Sequence, residues 1–305
     1  MKKKLALLAL SMAFSMSAFA AESDLSASQK IAAIEKALYG TEQAGALVAR
    51  MDSLESDVYG SASNDSVIGR IDNLYAYIAG PSTAGQANFE TRLNVVDWKL
   101  SDKMSGDPAK TRIENIEKLM HGNAQSGSIS SRLGELERLA GFNGSSIPVQ
   151  ETILPMDSVM KIRFETEMST KTNRKGDTVN FTSSDNLYVN DVLVIPKGAH
   201  GLATISKVSQ PAIFGQDGRI ELEFTHVEAI DGTKIPLYVG ELAKQKATSV
   251  AGAAGAAIGS MVILGPVGLV GGAFVKGASV NIPVGSETFV QTKAETKING
   301  VVHNN

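Results

Sequence analysis

Side chains able to do chemistry are sparse in this sequence, and their spacing argues against a catalytic or metal centre. The four histidines, His121, His200, His226 and His303, share no metal-ligand spacing. His226 sits in a strand pattern and reads as structural. There is no cysteine, which removes disulfides, thiol nucleophiles and zinc–thiolate sites together. No Gly-x-Ser-x-Gly elbow is present. Gly265-x-x-Gly268-x-x-Gly271 has the wrong spacing and context for a dinucleotide-binding loop. Asp177, Asp185 and Asp191 lack the loop spacing of a calcium site, and Asp177, after Lys175-Gly176, is more simply a turn residue. No catalytic residue, cofactor or metal ion is expected, and the chain reads as non-enzymatic.

The regular chemistry lies elsewhere, in a series of basic residues: Lys30, Arg50, Arg70, Arg92, Arg112 and Arg132 follow one another at spacings of 20, 20, 22, 20 and 20. Five of the six have an acid five residues later (Glu35, Glu55, Asp97, Glu117 and Glu137), and Tyr75 stands in the remaining place. Positions i and i+5 do not face each other on one helix. The base and acid therefore either pair between neighbouring helices or form the solvated rim of a buried stripe. The rim is the favoured reading, because exposed ion pairs contribute little.

Such a period marks repeated supersecondary units, and each unit reads as one helix and one turn. Leu47, Met51, Leu54 and Val58 form an apolar stripe. Gly40, Gly60, Gly80, Gly106 and Gly122 fall where turns are expected, the first three and the last as C-terminal caps. Asp107-Pro108 reads as a helix start, with proline at the first helical position. A period of 20 disfavours an unbroken heptad seam. Short stacked helices fit better than a coiled coil with breaks. Six helices are expected between residues 25 and 141.

After Phe142-Asn143-Gly144-Ser145-Ser146 the period changes to two. Met160 to Glu165 and Arg219 to Phe224 alternate apolar and charged residues, as half-buried strands do. Ile162, Phe164, Leu222 and Phe224 should share one core. Val192 to Ile195, Thr233 to Val239 and Glu287 to Gln291 are further strands, and Asp231-Gly232 is a hairpin turn. The fold class is α plus β in separate domains: short-helix repeats, then an antiparallel β-sandwich or barrel carrying a Gly/Ala-rich helical insert. The expected boundaries are 1–20, 21–145 and 146–305.

The insert, 247–275, holds no charged residue and is flanked by Lys244, Lys246 and Lys276. Gly252, Gly255, Gly259, Gly265, Gly268, Gly271 and Gly272 give it the small-residue spacing that lets membrane helices approach closely, a glycine zipper. Gly265-Pro266 could turn the chain. A helical hairpin in a bilayer, a single broken spanning segment, and a Gly/Ala loop over the β-domain all fit. The hairpin is the expectation carried forward, with a homo-oligomer to pack its glycines.

At the N-terminus, Lys2-Lys3-Lys4, the apolar run from Leu5 to Phe14 and Ala18-Phe19-Ala20 form the three parts of a cleavable signal peptide. The formal charge is −3. Removing a leader with three lysines leaves −6, with no basic patch, so no nucleic-acid partner is expected.

Val192 to Ala199 followed by Gly201 to Thr204, the turn segment Asp231 to Leu237, the insert, and Ile282-Pro283-Val284-Gly285-Ser286 together resemble, in order, the TrbI-like family. That family forms the outer-membrane end of type IV secretion and conjugation channels. The likeness covers roughly 177–292. It implies a barrel-like domain with a membrane-facing insert. Family members usually begin with an uncleaved inner-membrane helix and a proline-rich linker, and this chain has a cleavable leader and helical repeats instead. The expected role is an exported scaffold of the periplasm and outer membrane. The alternative is a soluble or surface-displayed module whose repeats engage a protein or a cell-wall glycan.

Overall fold

Helices form where the apolar stripe and the caps coincide. The computed structural model describes residues 25–83, 85–142, 147–210, 218–253, 263–265, 269–271 and 279–302. Six helices come first: α1 (Ala27–Tyr39), α2 (Leu47–Tyr59), α3 (Val67–Ala79), α4 (Phe89–Ser101), α5 (Ala109–His121) and α6 (Ile129–Leu139). Ser26, Ser66, Asn88 and Ser128 cap the starts of α1, α3, α4 and α6 with side-chain oxygens. Gly40, Gly60 and Gly122 end α1, α2 and α5 in the left-handed region. Two ends differ from expectation. Gly80 caps α3 in an extended conformation. α4 stops at left-handed Asp102, before Gly106. The start of α5 also differs: Pro108 is its N-cap, without a side-chain cap bond, and Asp107 instead pairs with the Ser105 hydroxyl.

Stripe residues such as Ile34, Leu54, Leu74, Leu93, Ile113 and Leu133 meet in one buried core. The helices do not stack as an open row. α1 packs on α3, and across the bundle α1 meets α5, α2 meets α6 and α3 meets α4.

The second half contains β1 (Val149–Leu154), β2 (Val159–Phe164), β3 (Met168–Ser169), β4 (Thr178–Ser183), β5 (Leu187–Val189), β6 (Val192–Ile195), β7 (His200–Ser209), β8 (Arg219–Glu228), β9 (Lys234–Tyr238), α7 (Glu241–Ala253), β10 (Ile263–Gly265), β11 (Leu269–Gly271), β12 (Asn281–Ile282), β13 (Glu287–Thr292) and β14 (Thr296–Val302). Strands β8, β7, β4, β2, β13 and β9 pair antiparallel in that order, and β9 returns to β8. The result is a closed six-stranded barrel, in which the start of β8, beyond its pairing with β9, remains an edge among these strands. Ile162, Phe164, Leu222 and Phe224 all lie in its core, as their alternation predicts, while Arg163 and Glu165 are exposed. A second sheet, β1-β14-β6-β5, lies beside the barrel. All four residues of β6 are buried. Val194 and Ile195 join the barrel core, whereas Leu193 joins a separate cluster with α4, which is why this strand reads as a continuous apolar run.

The insert departs from the helical-hairpin expectation. Its beginning continues α7, but 263–265 and 269–271 are strands, paired with each other through Leu264 and Val270. The chain does reverse between Gly265 and Leu269. β11 then adds to β8 at Ile220 and Glu221. β9 covers only His226 to Glu228 on that side of β8, so the backbone groups around Ile220 are left for another strand. Bulky Ile263, Leu264, Leu269 and Val270 suit a strand, and the glycines between them weaken a helix. Gly252 lies in α7, Gly265 and Gly271 end the two strands, and Gly255, Gly259, Pro266, Gly268 and Gly272 lie outside the described residues. So do residues 1–20. Among the described residues, no helix is long and apolar enough to cross a membrane.

Gly201 shows how tightly the barrel is filled. It pairs with Phe181, and a Cβ at this position would stand 2.1 Å from the Phe181 ring. Phe181 in turn packs edge-on against Phe224 at 5.5 Å. Gly201→Ala should lower stability by about 1–3 kcal/mol through overpacking. Chemical denaturation monitored by circular dichroism checks this; an unchanged midpoint would mean that the ring can move aside.

Candidate functional site: a buried ion-pair lattice and the seam beside it

The repeated base and acid do not form a solvated rim. They pair between helices, each acid with the base of the next unit fifteen residues on. Arg50 bonds Glu35, Arg70 bonds Glu55, Arg112 bonds Asp97 and Arg132 bonds Glu117, with contacts of 2.5–2.9 Å. The same carboxylates accept a backbone amide eight residues on: Gln43, Ser63, Ser105 and Gln125 donate to Glu35, Glu55, Asp97 and Glu117. One carboxylate thus ties its own helix to both the following loop and the following helix. Glu35 is 0% exposed and Glu117 1%. Burial supplies the reason the rim reading fails: a carboxylate this enclosed must be paired.

The two remaining bases close the series. Arg92 has no acid in the preceding unit, because Tyr75 stands there, and it takes Glu137 of α6 at 2.6 Å. Lys30, which has no preceding unit, pairs with Asp72 at 2.7 Å and lies 5.8 Å from the centre of the Tyr75 ring. The six units therefore form two rings of three, α1-α2-α3 and α4-α5-α6, each closed from its first member to its third.

The carboxyls respond differently to similar partners. Burial pushes Glu117 up, but hydrogen bonds from Arg132 and the Gln125 amide outweigh it and hold the group below the usual carboxylate range. At Asp97 burial wins, and the carboxyl is raised despite the charge and hydrogen bond of Arg112. Asp97 lies on α4, which is covered by the helical core on one side and by the β half on the other.

α4 carries two stripes. Phe89, Leu93 and Val96 face the helical core, while Val95 and Trp98 face Ile147, Val149, Leu193, Ile230 and Val301. Asn94 donates to the Ile230 carbonyl at 2.9 Å, and Trp98 donates to Asn186 at 3.1 Å. The loop after α4 continues the seam. The Met104 amide donates to the Lys197 carbonyl, and the Met104 side chain is part of the barrel core. A Cβ on Gly106 would stand 2.5 Å from His200 Nε2. The sequence reading missed these residues, although two signals were present. α4 carries Val95 and Trp98 beside the stripe of Phe89, Leu93 and Val96, and Met104 occupies a loop position held by Glu42, Ala62 and Ala124 in other units.

Two clefts flank this seam. One, of about 760 Å³, is polar, with Lys103, Arg163, Lys197 and His200 among its lining. The other, of about 280 Å³, lies between α4, α5 and β8. Burial holds His200 and His226 below the ordinary imidazole value. Asp177 is the turn residue expected: its carboxylate accepts from the Arg174 amide and Asn173, which lower it. His121 ends α5 in an exposed position, and His303 lies outside the described residues. Among the described residues, no group of acids and histidines is arranged to hold a metal ion. The arrangement binds its own elements together, and its chemistry is charge pairing.

Glu117→Ala should destabilise the chain by about 3–5 kcal/mol, because Arg132 is left buried and unpaired. The double variant Glu117→Leu with Arg132→Met should recover much of the loss. Urea denaturation checks both; a loss under about 1 kcal/mol for Glu117→Ala would return the pair to the class of exposed bridges.

No family model matches the chain, and no curated protein matches it. Among solved structures, it is similar to ComB10 of the Com type IV secretion system of Helicobacter pylori, at 14% identity, over 47% of this chain and 88% of that one, with a TM-score of 0.27. A likeness this distant carries no functional argument.

Proposed function

We propose that this chain is a non-enzymatic scaffold of the envelope of a two-membrane bacterium, exported by its leader. The barrel and insert associate with the outer membrane, and the helical unit is held in the periplasm. The observation that carries the reading is the 29-residue uncharged run 247–275 and its attachment to the barrel. Its first part belongs to α7, which docks on β13 through Ala243, Ala247 and Phe289, and its later part adds a strand to β8. An apolar segment anchored at both ends to a closed barrel can be presented to a bilayer while the barrel stays folded. The resemblance to the TrbI-like family points the same way and extends the reading to a secretion-type, envelope-spanning assembly with several copies. The rigid seam at α4 suits a scaffold, since it couples the helical unit to the barrel.

A second reading, a soluble or surface-displayed binding module, draws on the return of β11 to the barrel wall. A segment folded back as an extra hairpin needs no lipid. The helical unit would then engage a protein or a cell-wall glycan.

One experiment separates the two. A lysine in the run, as Gly259→Lys or Gly268→Lys, should oppose insertion by roughly 2.5–3.5 kcal/mol. For the scaffold, the parent protein should resist salt extraction from the outer-membrane fraction and need detergent, and both variants should shift to the soluble fraction. If parent and variants alike wash off in salt, the binding module stands.

A further inference from the structure

Two carboxylates from opposite halves of the molecule share the 280 Å³ cleft. Glu90 comes from the first turn of α4, and Glu228 from the end of β8. Neither forms an ion pair or a hydrogen bond among the described residues. Glu90 keeps one side open to solvent, while its carboxylate presses on the Asp231-Gly232 turn of the barrel: a Cβ on Gly232 would stand 2.7 Å from Glu90 Oε2. The remaining cleft wall is apolar at Ile78, Phe89 and Leu93.

The cations nearby, Arg112 and Lys234, lower both carboxyls but do not cancel the rise from burial. Arg112, on α5, is committed to Asp97 and Asn94. Lys234, on β9, stands opposite Glu228 in the β8–β9 register, yet the two form no ion pair among the described residues. Asp231 in the turn adds a third negative charge near Glu90. His226 on β8 stands opposite Pro236, and the charge of Lys234 lowers it. Lys36 of α1, paired with Glu42, and Asp107 of the α4–α5 loop complete the charged lining.

We propose that the facing of Glu90 and Glu228 makes the docking of the helical unit onto the barrel pH-dependent, tightest when these carboxyls are protonated and looser when both are ionised. The physics has two parts. Docking takes both groups partly out of water, and it brings like charges together. Both act in the same direction on the equilibrium: burial raises Glu90 and Glu228 above the ordinary carboxylate value, and Glu90 adds to the rise at Glu228. A carboxyl raised in the docked state binds its proton more tightly there. Docking is therefore favoured at pH near the ordinary carboxylate value and loses that contribution as pH rises through the raised values. The histidines act elsewhere on the scale. His226 and His200 are held below their ordinary value by burial and by Lys234 and Arg112 respectively, so they gain charge only in more acidic solution.

The chain carries its own probe. Trp98 is the one tryptophan in the sequence, and it is 8% exposed in the seam. Acrylamide quenching of its fluorescence in the full-length exported chain, from about pH 4.5 to 8, should increase with pH in the parent. Glu228→Gln and Glu90→Gln should each lose a clear part of that dependence, and the double variant should lose most of it and stay near the low-pH level of quenching. His226→Asn should keep the parent profile. Far-UV circular dichroism verifies that each variant is folded, and the two glutamine variants test the idea independently of one another. A parent profile that is flat, or glutamine variants that retain its slope, would overturn the proposal.

Discussion

The helical half depends on one repeated interaction: a buried carboxylate that accepts both an arginine from the next helix and an amide from the loop between. Exposed pairs of this kind would contribute little. Here burial changes the balance, because a charge withdrawn from water must find its partner or the helices cannot close. The loop amide restricts where the next helix can begin, and the guanidinium restricts how it lies. The interaction thus works as a register device, placing 13-residue helices, about 20 Å long, whose apolar stripes alone would allow several arrangements.

Closure follows from where the pattern breaks. A strict repeat would pair every base with the preceding acid and could extend into a solenoid of any length. Tyr75 in the third unit interrupts that chain of pairs. Arg92, deprived of a partner behind it, turns to Glu137 at the end of the chain, and Lys30 takes Asp72 and the Tyr75 ring. The break is therefore what makes two closed rings, and closed rings leave no repeat end on which further units could stack. Within these rings the fourth unit has a second duty. The Val95–Trp98 stripe and Met104 join the helical unit to the barrel, and on that helix the burial of Asp97 outweighs the pull of its arginine.

Much of this was legible in the sequence, and the remainder was hidden for identifiable reasons. The stripes, the glycine stops and the alternation at Ile162 and Phe164 are local patterns, and they give six helices and an antiparallel sandwich or barrel, between which only the long-range pairing of β9 with β8 decides. The 20-residue spacing of the bases was equally visible. Their partners were not, because i and i+5 do not meet on a helix and the true spacing of fifteen spans a turn whose course depends on the pair itself. The seam lay one step further off. Asn186 and Ile230 are far from α4 in sequence, and nothing local couples them to it. The insert was misread for a different reason. Its composition says only that it is uncharged and small, whereas its secondary structure is decided by a neighbour. The part of β8 at Ile220 and Glu221 that β9 does not cover is where β11 pairs, and a strand beside an open edge satisfies backbone groups that a glycine-rich helix holds weakly.

The same reasoning bears on how the two halves behave as one body. The seam is held by an apolar cluster, by hydrogen bonds from Asn94, Trp98 and the Met104 amide, and by one loop side chain inserted in the barrel core. One exposed ion pair, Lys197 with Asp102, also crosses the seam, and the remaining contacts gain little from charge. Of the charged groups at the edge, Asp231 accepts the Thr233 and Asn299 amides, whereas Glu90, Glu228 and Lys234 form no ion pair among the described residues, although the chain pairs its acids closely elsewhere. A fold that satisfies Glu35, Glu55 and Glu117 so completely, yet sets two acids against each other across its internal boundary, holds its halves together by apolar contact and leaves solution conditions to modulate how firmly they are held. That separation keeps the helical rings intact whatever the state of the seam, because the buried ion pairs that close them lie within the helical unit and none crosses to the barrel.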